Sequence, residues 1–226
     1  MQLKKKFSDC LQSCLSLGLF SNDTGELTID IEHFWVILNT HYTESHRYYH
    51  TFQHIEHCLL QLSDCAQYIK YPQEVELAIW FHDVIYVPGA KDNEQKSADL
   101  FGQLFVTILA PENLNRIKSL ILSTTHNTEL TTNDEKFMVD IDLSSFAASN
   151  KQYQKNNLNL RKEQLNLSDY DFNKKQLSLL NLIIKRERIF KTRFFYENLE
   201  QAARVNIKQH KIVLQQEQLK LTPSKL

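Results

Sequence analysis

The stretch Val75-Glu76-Leu77-Ala78-Ile79-Trp80-Phe81-His82-Asp83 decides how this chain is read. Its apolar positions are too dense for a single stripe, so the spacing predicts a helix that is apolar nearly all round, and such a helix belongs in the centre of a bundle. Pro72 stands where that helix begins, a position that tolerates its missing N–H. The run ends, without a break, on an imidazole and a carboxylate. Burying these side by side is costly, and an uncompensated carboxylate there would take up a proton. A divalent cation removes the penalty. Neighbouring helical residues diverge by about 100°, so both side chains reach one ion when the remaining ligands arrive from other helices.

Working outward, helical periodicity recurs on both sides of this segment. Residues 3–20 form an amphipathic stretch closed by Gly18 and the turn-rich Ser21-Asn22-Asp23-Thr24-Gly25. A second helix is expected after Asp30, with Phe34, Trp35, Leu38 and Tyr42 on one face, and the pattern continues or restarts through Tyr48, Tyr49 and Phe52 to Leu62. Beyond the Pro88-Gly89 break, Asp92 reads as the N-cap of a helix from about Asn93 to Leu109. Pro111 opens another, carrying Leu114, Ile117 and Ile121 and ending on Ser123-Thr124-Thr125-His126. Thr131–Asp134 reads as a polar loop, and the pattern is helical again from Glu135 to Phe146. Residues 150–226 are polar at first, then apolar at Leu177, Leu180, Ile183 and Ile184, and charged after Gln215.

Composition agrees with an all-α chain. Only 4 Gly and 4 Pro occur in 226 residues, too few to punctuate a turn-rich sheet. A formal charge of -1 gives no global pull toward nucleic acid or an anionic membrane. No segment approaches the roughly 18 apolar residues of a membrane span, and the lysine-bearing start never becomes a signal-peptide core, so the expected location is the cytoplasm. Cys10, Cys14, Cys58 and Cys65 lie in or beside apolar stripes with no Cys-x-x-Cys pair, which predicts buried reduced thiols.

Further ligands for the His82-Asp83 doublet are at hand on either side. His46, His50, His54 and His57 are spaced by four, four and three residues, which on a helix aligns the rings along one side. Asp140 and Asp142 sit among Val139, Ile141 and Leu143, where a carboxylate needs a reason; helix capping is one, a cation another. Two imidazoles and two carboxylates suit a six-coordinate Mn, Fe, Co, Ni or Mg ion with open water positions better than closed tetrahedral zinc. Water on such an ion is acidified toward neutral pH while the ion neutralises charge on a phosphoryl oxygen, which is the chemistry of phosphate-ester hydrolysis.

A His, a distant His-Asp doublet and a later Asp on successive helices resemble the HD-domain phosphohydrolase superfamily. The segments Tyr49-His50-Thr51-Phe52-Gln53-His54-Ile55, Trp80-Phe81-His82-Asp83-Val84-Ile85-Tyr86, Asn93-Glu94-Gln95-Lys96-Ser97-Ala98 and Asp140-Ile141-Asp142-Leu143-Ser144 resemble its bacterial branch of predicted metal-dependent phosphohydrolases. With Tyr153, Arg161, Arg186 and Ala203-Arg204-Val205-Asn206, the resemblance covers roughly residues 33–210.

The resemblance implies an HD-domain-like helical bundle with additional C-terminal helices. Residues 1–210 would form one domain, with a metal-site core over about 33–146 and a helical extension over about 150–210, and 211–226 would be a frayed tail. It chooses His54, His82, Asp83 and Asp142 as ligands and leaves His50 and Asp140 to orient ligands or water. Where some HD phosphatases carry a catalytic Glu three residues after the doublet, this chain has Tyr86. Asp83 would then act in catalysis with Glu94 as first-choice base and His126 as second, although Glu94 also complements a helix dipole. His126 could equally hold a phosphate oxygen or a second ion. Arg47, Lys96 and Arg161 are the cations suggested for phosphate capture. The expected partner is a small phosphorylated substrate such as a nucleotide, with no membrane or nucleic acid, and the Leu177–Ile184 face leaves room for a homodimer.

Overall fold

The computed structural model describes residues 2–20, 30–126 and 128–221, which fold as helices with no strand among them. The stretch from Ser21 to Gly25, read as a turn, lies outside the described residues. The chain divides into two compact units, Met1–Asp142 and Leu143–Leu226.

The first unit holds α1 (Gln2–Ser16), α2 (Ile31–Tyr42), α3 (Phe52–Cys65), α4 (Pro72–Phe81), α5 (Asn93–Phe105), α6 (Pro111–Ser123) and α7 (Asn133–Leu143), whose last residue begins the second unit. As its composition demands, α4 is central: Val75, Leu77, Ala78, Ile79, Trp80 and Phe81 are all completely buried, and it packs against α1, α3 and α6. Phe7 of α1 meets the Trp80 ring edge-on at 5.3 Å, and Phe101 of α5 does the same to Phe81 at 5.3 Å. Each such side chain contributes about 1.5–3 kcal/mol by leaving water, so this aromatic layer fixes where the end of α4 lies.

Local signals set the helix ends. Pro72 and Pro111 open α4 and α6 as expected. Gly18, with a φ of 70°, ends α1, its N–H donating to Leu15 while Leu19 N–H donates to Cys14. Gly102 lies on α5 where it faces α6, and a Cβ there would meet only the flexible end of the Lys118 side chain, 3.3 Å away at Nζ. A reciprocal capping box begins α7: Glu135 N–H donates to Thr132 Oγ1 at 3.1 Å, and the Glu135 carboxylate accepts from Thr132 N–H at 2.9 Å. Asp134 accepts from the N–H groups of Lys70 and Tyr71, tying α7 to the start of α4.

Several expectations are corrected. The helix beginning at Asn93 stops at Phe105 rather than near Leu109, because Leu109 forms an antiparallel bridge with Phe20. Asp92 occupies the N-cap position of α5 without a side-chain capping bond and pairs with Lys96 at 3.0 Å instead. The loop expected over Thr131–Asp134 gives way to helix at Asn133, and α7 ends at Leu143 in a 3-10 turn over Ser144–Ala147.

The second unit holds that turn, α8 (Asn150–Glu163), α9 (Asp169–Ile184) and α10 (Arg193–Leu221). Ser149 and Ser168 cap α8 and α9. Residues 211–221, read as a frayed tail, continue α10, anchored by buried Leu214. The Ala203–Asn206 motif is structural here. Arg204 donates to the carbonyls of Ile184, Arg186 and Glu187, while Asn206 Nδ2 donates to those of Phe146 and Ala148. All four cysteines are free and buried, and burial pushes the Cys10, Cys58 and Cys65 thiols up, the last to about 12. No helix among the described residues is long and apolar enough to cross a membrane.

Candidate metal centre

Three helices of the first unit converge on one point. Thr51 caps α3 by accepting from Gln53 N–H, which starts the helix in the register that buries His54. His82 and Asp83 follow the last residue of α4, and Asp142 is the penultimate residue of α7.

His54 Nε2 lies 3.2 Å from His82 Nε2 and 3.2 Å from Asp142 Oδ1. Asp83 Oδ2 stands 3.0 Å from His82 Nε2 and 3.5 Å from His54 Nε2, and His82 Nε2 is 3.7 Å from Asp142 Oδ1. Ligand atoms about 2.1 Å from one ion are about 3.0 Å apart at right angles and about 3.4 Å apart at the tetrahedral angle. The spacings of 3.0–3.7 Å match those that donors to one cation would have. Ligand atoms of His54, His82 and Asp142 all lie within 4.8 Å of one another, a cluster that could hold a metal ion. His82 Nδ1 is 2.9 Å from the Ile79 carbonyl. Placing the ring proton on Nδ1 leaves the Nε2 lone pair facing the cluster, the arrangement usual for a ligating imidazole.

The electrostatics point the same way. Burial alone would lower the His82 pKa, but the carboxylates of Asp83 and Asp142 outweigh it and hold the imidazole well above its ordinary value. Burial would raise both carboxylates, yet His82, His50 and His54 pull Asp83 down, and hydrogen bonds from His126, His54 and His82 pull Asp142 down. Two carboxylates thus demand positive charge between them, which a proton or a cation can supply. Burial also lowers His57 to about 4, keeping it neutral.

The rest of the histidine row behaves differently. Only His54 and His57 belong to α3; His46 and His50 lie in the non-helical segment 43–51, so the four rings do not share one helix face. His50 stacks on Tyr86 with ring centroids 4.0 Å apart and lowers the Asp83 pKa without joining the close cluster. His46 Nε2 lies 3.0 Å from the Tyr86 carbonyl. Asp140 is wholly buried and near enough to Cys65 to help raise that thiol, so it is Asp142 that α7 presents to the cluster.

Two candidates for proton transfer stand beside the ligands. His126 Nε2 is 3.1 Å from Asp142 Oδ2, its Nδ1 is buried with no hydrogen-bond partner, and its backbone is left-handed with φ 58°. A non-glycine residue in that region carries strain, which gathers at functional sites. Glu94 is half-buried in the first turn of α5, and its pKa is raised first by burial and then by the charges of Asp83 and Asp142.

The expected cations are placed otherwise. Arg47 is buried and clamps the chain: Nε donates to Glu44, Nη1 to the carbonyls of His50 and Asp83, and Nη2 to that of Val84. It therefore holds the segments on which His50 and Asp83 ride instead of offering charge to a phosphate. Lys96 is exposed and paired with Asp92. Arg161 belongs to the second unit, where it pairs with Asp169 at 2.6 Å and donates to the Gln164 and Leu167 carbonyls.

Two positioning residues escaped the sequence reading. Asn93 bonds both backbone groups of Val87, and Ser97 Oγ accepts from Ile85 N–H, so one face of α5 orders the loop after the doublet. Their spacing of four within Asn93-Glu94-Gln95-Lys96-Ser97 was the available signal. Comparison of the chain with protein-family models, with curated proteins and with solved structures found no match.

Proposed function

We propose that this chain is a metal-dependent phosphohydrolase of the HD-domain type, acting on a nucleotide or another small phosphorylated metabolite. The observation that carries this reading is the convergence of His54, His82 and Asp142 from α3, the end of α4 and α7, their ligand atoms 3.2–3.7 Å apart, with the Asp83 carboxylate 3.0 and 3.5 Å from the two imidazoles. The mixed nitrogen and oxygen donors favour one Mn, Fe, Co, Ni or Mg ion over structural zinc, and His126 leaves a place for a second ion. Such a cation supplies Lewis acidity, acidifying water and neutralising charge on a phosphoryl oxygen. The chain's own part is to aim the donors through Ile79, Arg47, Asn93 and Ser97 and to move protons. Glu94, its pKa shifted toward neutrality, is the base or acid, and His126 buttresses Asp142.

A second reading, a non-catalytic metal- or nucleotide-binding module, is favoured by Tyr86 after the doublet and by the commitment of Arg47 and Lys96 to other partners. A phosphate-release screen over nucleotides and phosphorylated metabolites with Mn2+ separates the two. The hydrolase reading expects turnover that falls by about 10²–10⁴-fold in Glu94→Gln, the range of a lost acid–base group, and disappears in Asp83→Ala. Normal metal binding with no turnover would favour the module. Absence of metal, with Asp83→Ala indistinguishable from wild type, would end the hydrolase reading and leave of the second only a module that binds nucleotide without metal.

A further inference from the structure

The second unit carries a half-open cavity of about 770 Å³ between α8, α9 and α10, lined wholly by that unit's own residues. Cavities of roughly 300–1,000 Å³ with apolar walls and a few polar groups have the make-up of small-molecule sites. Phe172, Val213 and Leu214 supply apolar wall, together with Tyr153. His210 stands edge-on to the Tyr153 ring at 5.8 Å, and its imidazole makes no hydrogen bond or ion pair with a described residue. Burial lowers its pKa, so near neutral pH the ring presents one donor and one acceptor. Asn157 donates through Nδ2 to the Tyr153 carbonyl at 2.8 Å, which leaves its Oδ1 as a further acceptor. The charged lining residues balance: Arg161 is paired with Asp169, and Lys220 is offset by Glu217.

We infer that this cavity binds a small, flat, uncharged molecule built on a fused-ring heterocycle, with a hydrogen-bond donor and acceptor on its edge that meet His210 and Asn157. Apolar walls reward a flat ring, a balanced lining gives no advantage to an ion, and the half-buried imidazole, bonded to no described residue, can exchange water for the edge of a ligand. The site shares no residue with the metal cluster and does not depend on the hydrolase reading.

The test is an NMR titration of the full chain at pH 8 with benzimidazole, which is uncharged there and carries one donor and one acceptor. Benzoate and benzylamine serve as the anionic and cationic controls. Benzimidazole is expected to bind at about millimolar concentration or tighter, as a fragment of its size can, and both controls more weakly. His210→Phe should weaken it about three- to tenfold, the loss of one hydrogen bond. Val213→Trp, made at a half-exposed wall position, should weaken it at least about tenfold by filling the space. No binding of benzimidazole, tighter binding of either control, or binding that both substitutions leave unchanged would overturn the inference.

Discussion

Replacing Arg47 with Met tests whether the doublet is held by a buried guanidinium. The side chain is fully enclosed and donates to the carbonyls of His50, Asp83 and Val84 at 3.2, 2.7 and 2.8 Å, besides its bond to Glu44. Methionine keeps much of the apolar stem but no donor. Each buried acceptor left unsatisfied costs about 1–3 kcal/mol; at the low end, three carbonyls give about 3–4 kcal/mol. In a chain of this size that is a fall of about 10 °C in Tm. Lysine restores the charge but not the fork, so Arg47→Lys should recover only part of the loss. Urea denaturation of all three proteins, stripped of metal, measures the effect, and Mn2+ titration should show weakened affinity because the Asp83 backbone has lost its anchor. If Arg47→Met unfolds at the wild-type urea midpoint, the clamp contributes nothing and the reasoning fails.

Other expectations follow from the same geometry. His82 has a raised folded-state pKa, so its contribution is fully present below about pH 6.5, the unfolded value, and is lost as pH rises through the folded value. Metal-free protein should therefore lose Tm as pH rises above about 6.5, and Mn2+ should flatten that slope; a metal-free Tm that climbs over this window contradicts it. Mn2+ affinity should itself rise with pH, because the ion competes with the proton on His82. Thr132→Ala removes the cap from α7 and should cost about 1 kcal/mol in urea denaturation, with no loss meaning that the capping box is idle. Leu77→Ala, in the core of α4, should cost about 2–5 kcal/mol, and a smaller change would show that α4 is not the centre of its unit.

The centre of the first unit was legible because its cause is local. A segment apolar on nearly every face belongs in an interior, and Pro72, Pro111 and Gly18 act on their own backbone. The doublet stood out for the same reason, polar groups at the end of an interior helix. The row of four histidines misled because spacing cannot reveal a break held by tertiary bonds. Segment 43–51 leaves the helix under the Arg47 clamp, whose partners lie up to 37 residues away in sequence. Arg47, taken as a phosphate ligand, shows the same limit, since charge reads alike whether it faces solvent or a carbonyl. The extension of α10 past residue 210 was missed because its polar face hides the few apolar contacts, Leu214 among them, that hold it. Choosing His54 over His50 and Asp142 over Asp140 lay beyond spacing alone; in the fold His54 and Asp142 are the members of each pair that stand together, 3.2 Å apart, in the cluster that could hold an ion.

The central claim is that His54, His82, Asp83 and Asp142 are gathered around a cation, and calorimetric titration of chelator-treated protein with Mn2+ tests it most directly. The account predicts saturable binding at the cluster that weakens by more than about 100-fold in His82→Ala, since even partners behind a ligand cost 10–100-fold, while His50→Ala binds nearly as wild type. Wild-type protein that takes up none of Mn, Fe, Co, Ni or Mg, or that binds equally well without His82, would contradict it.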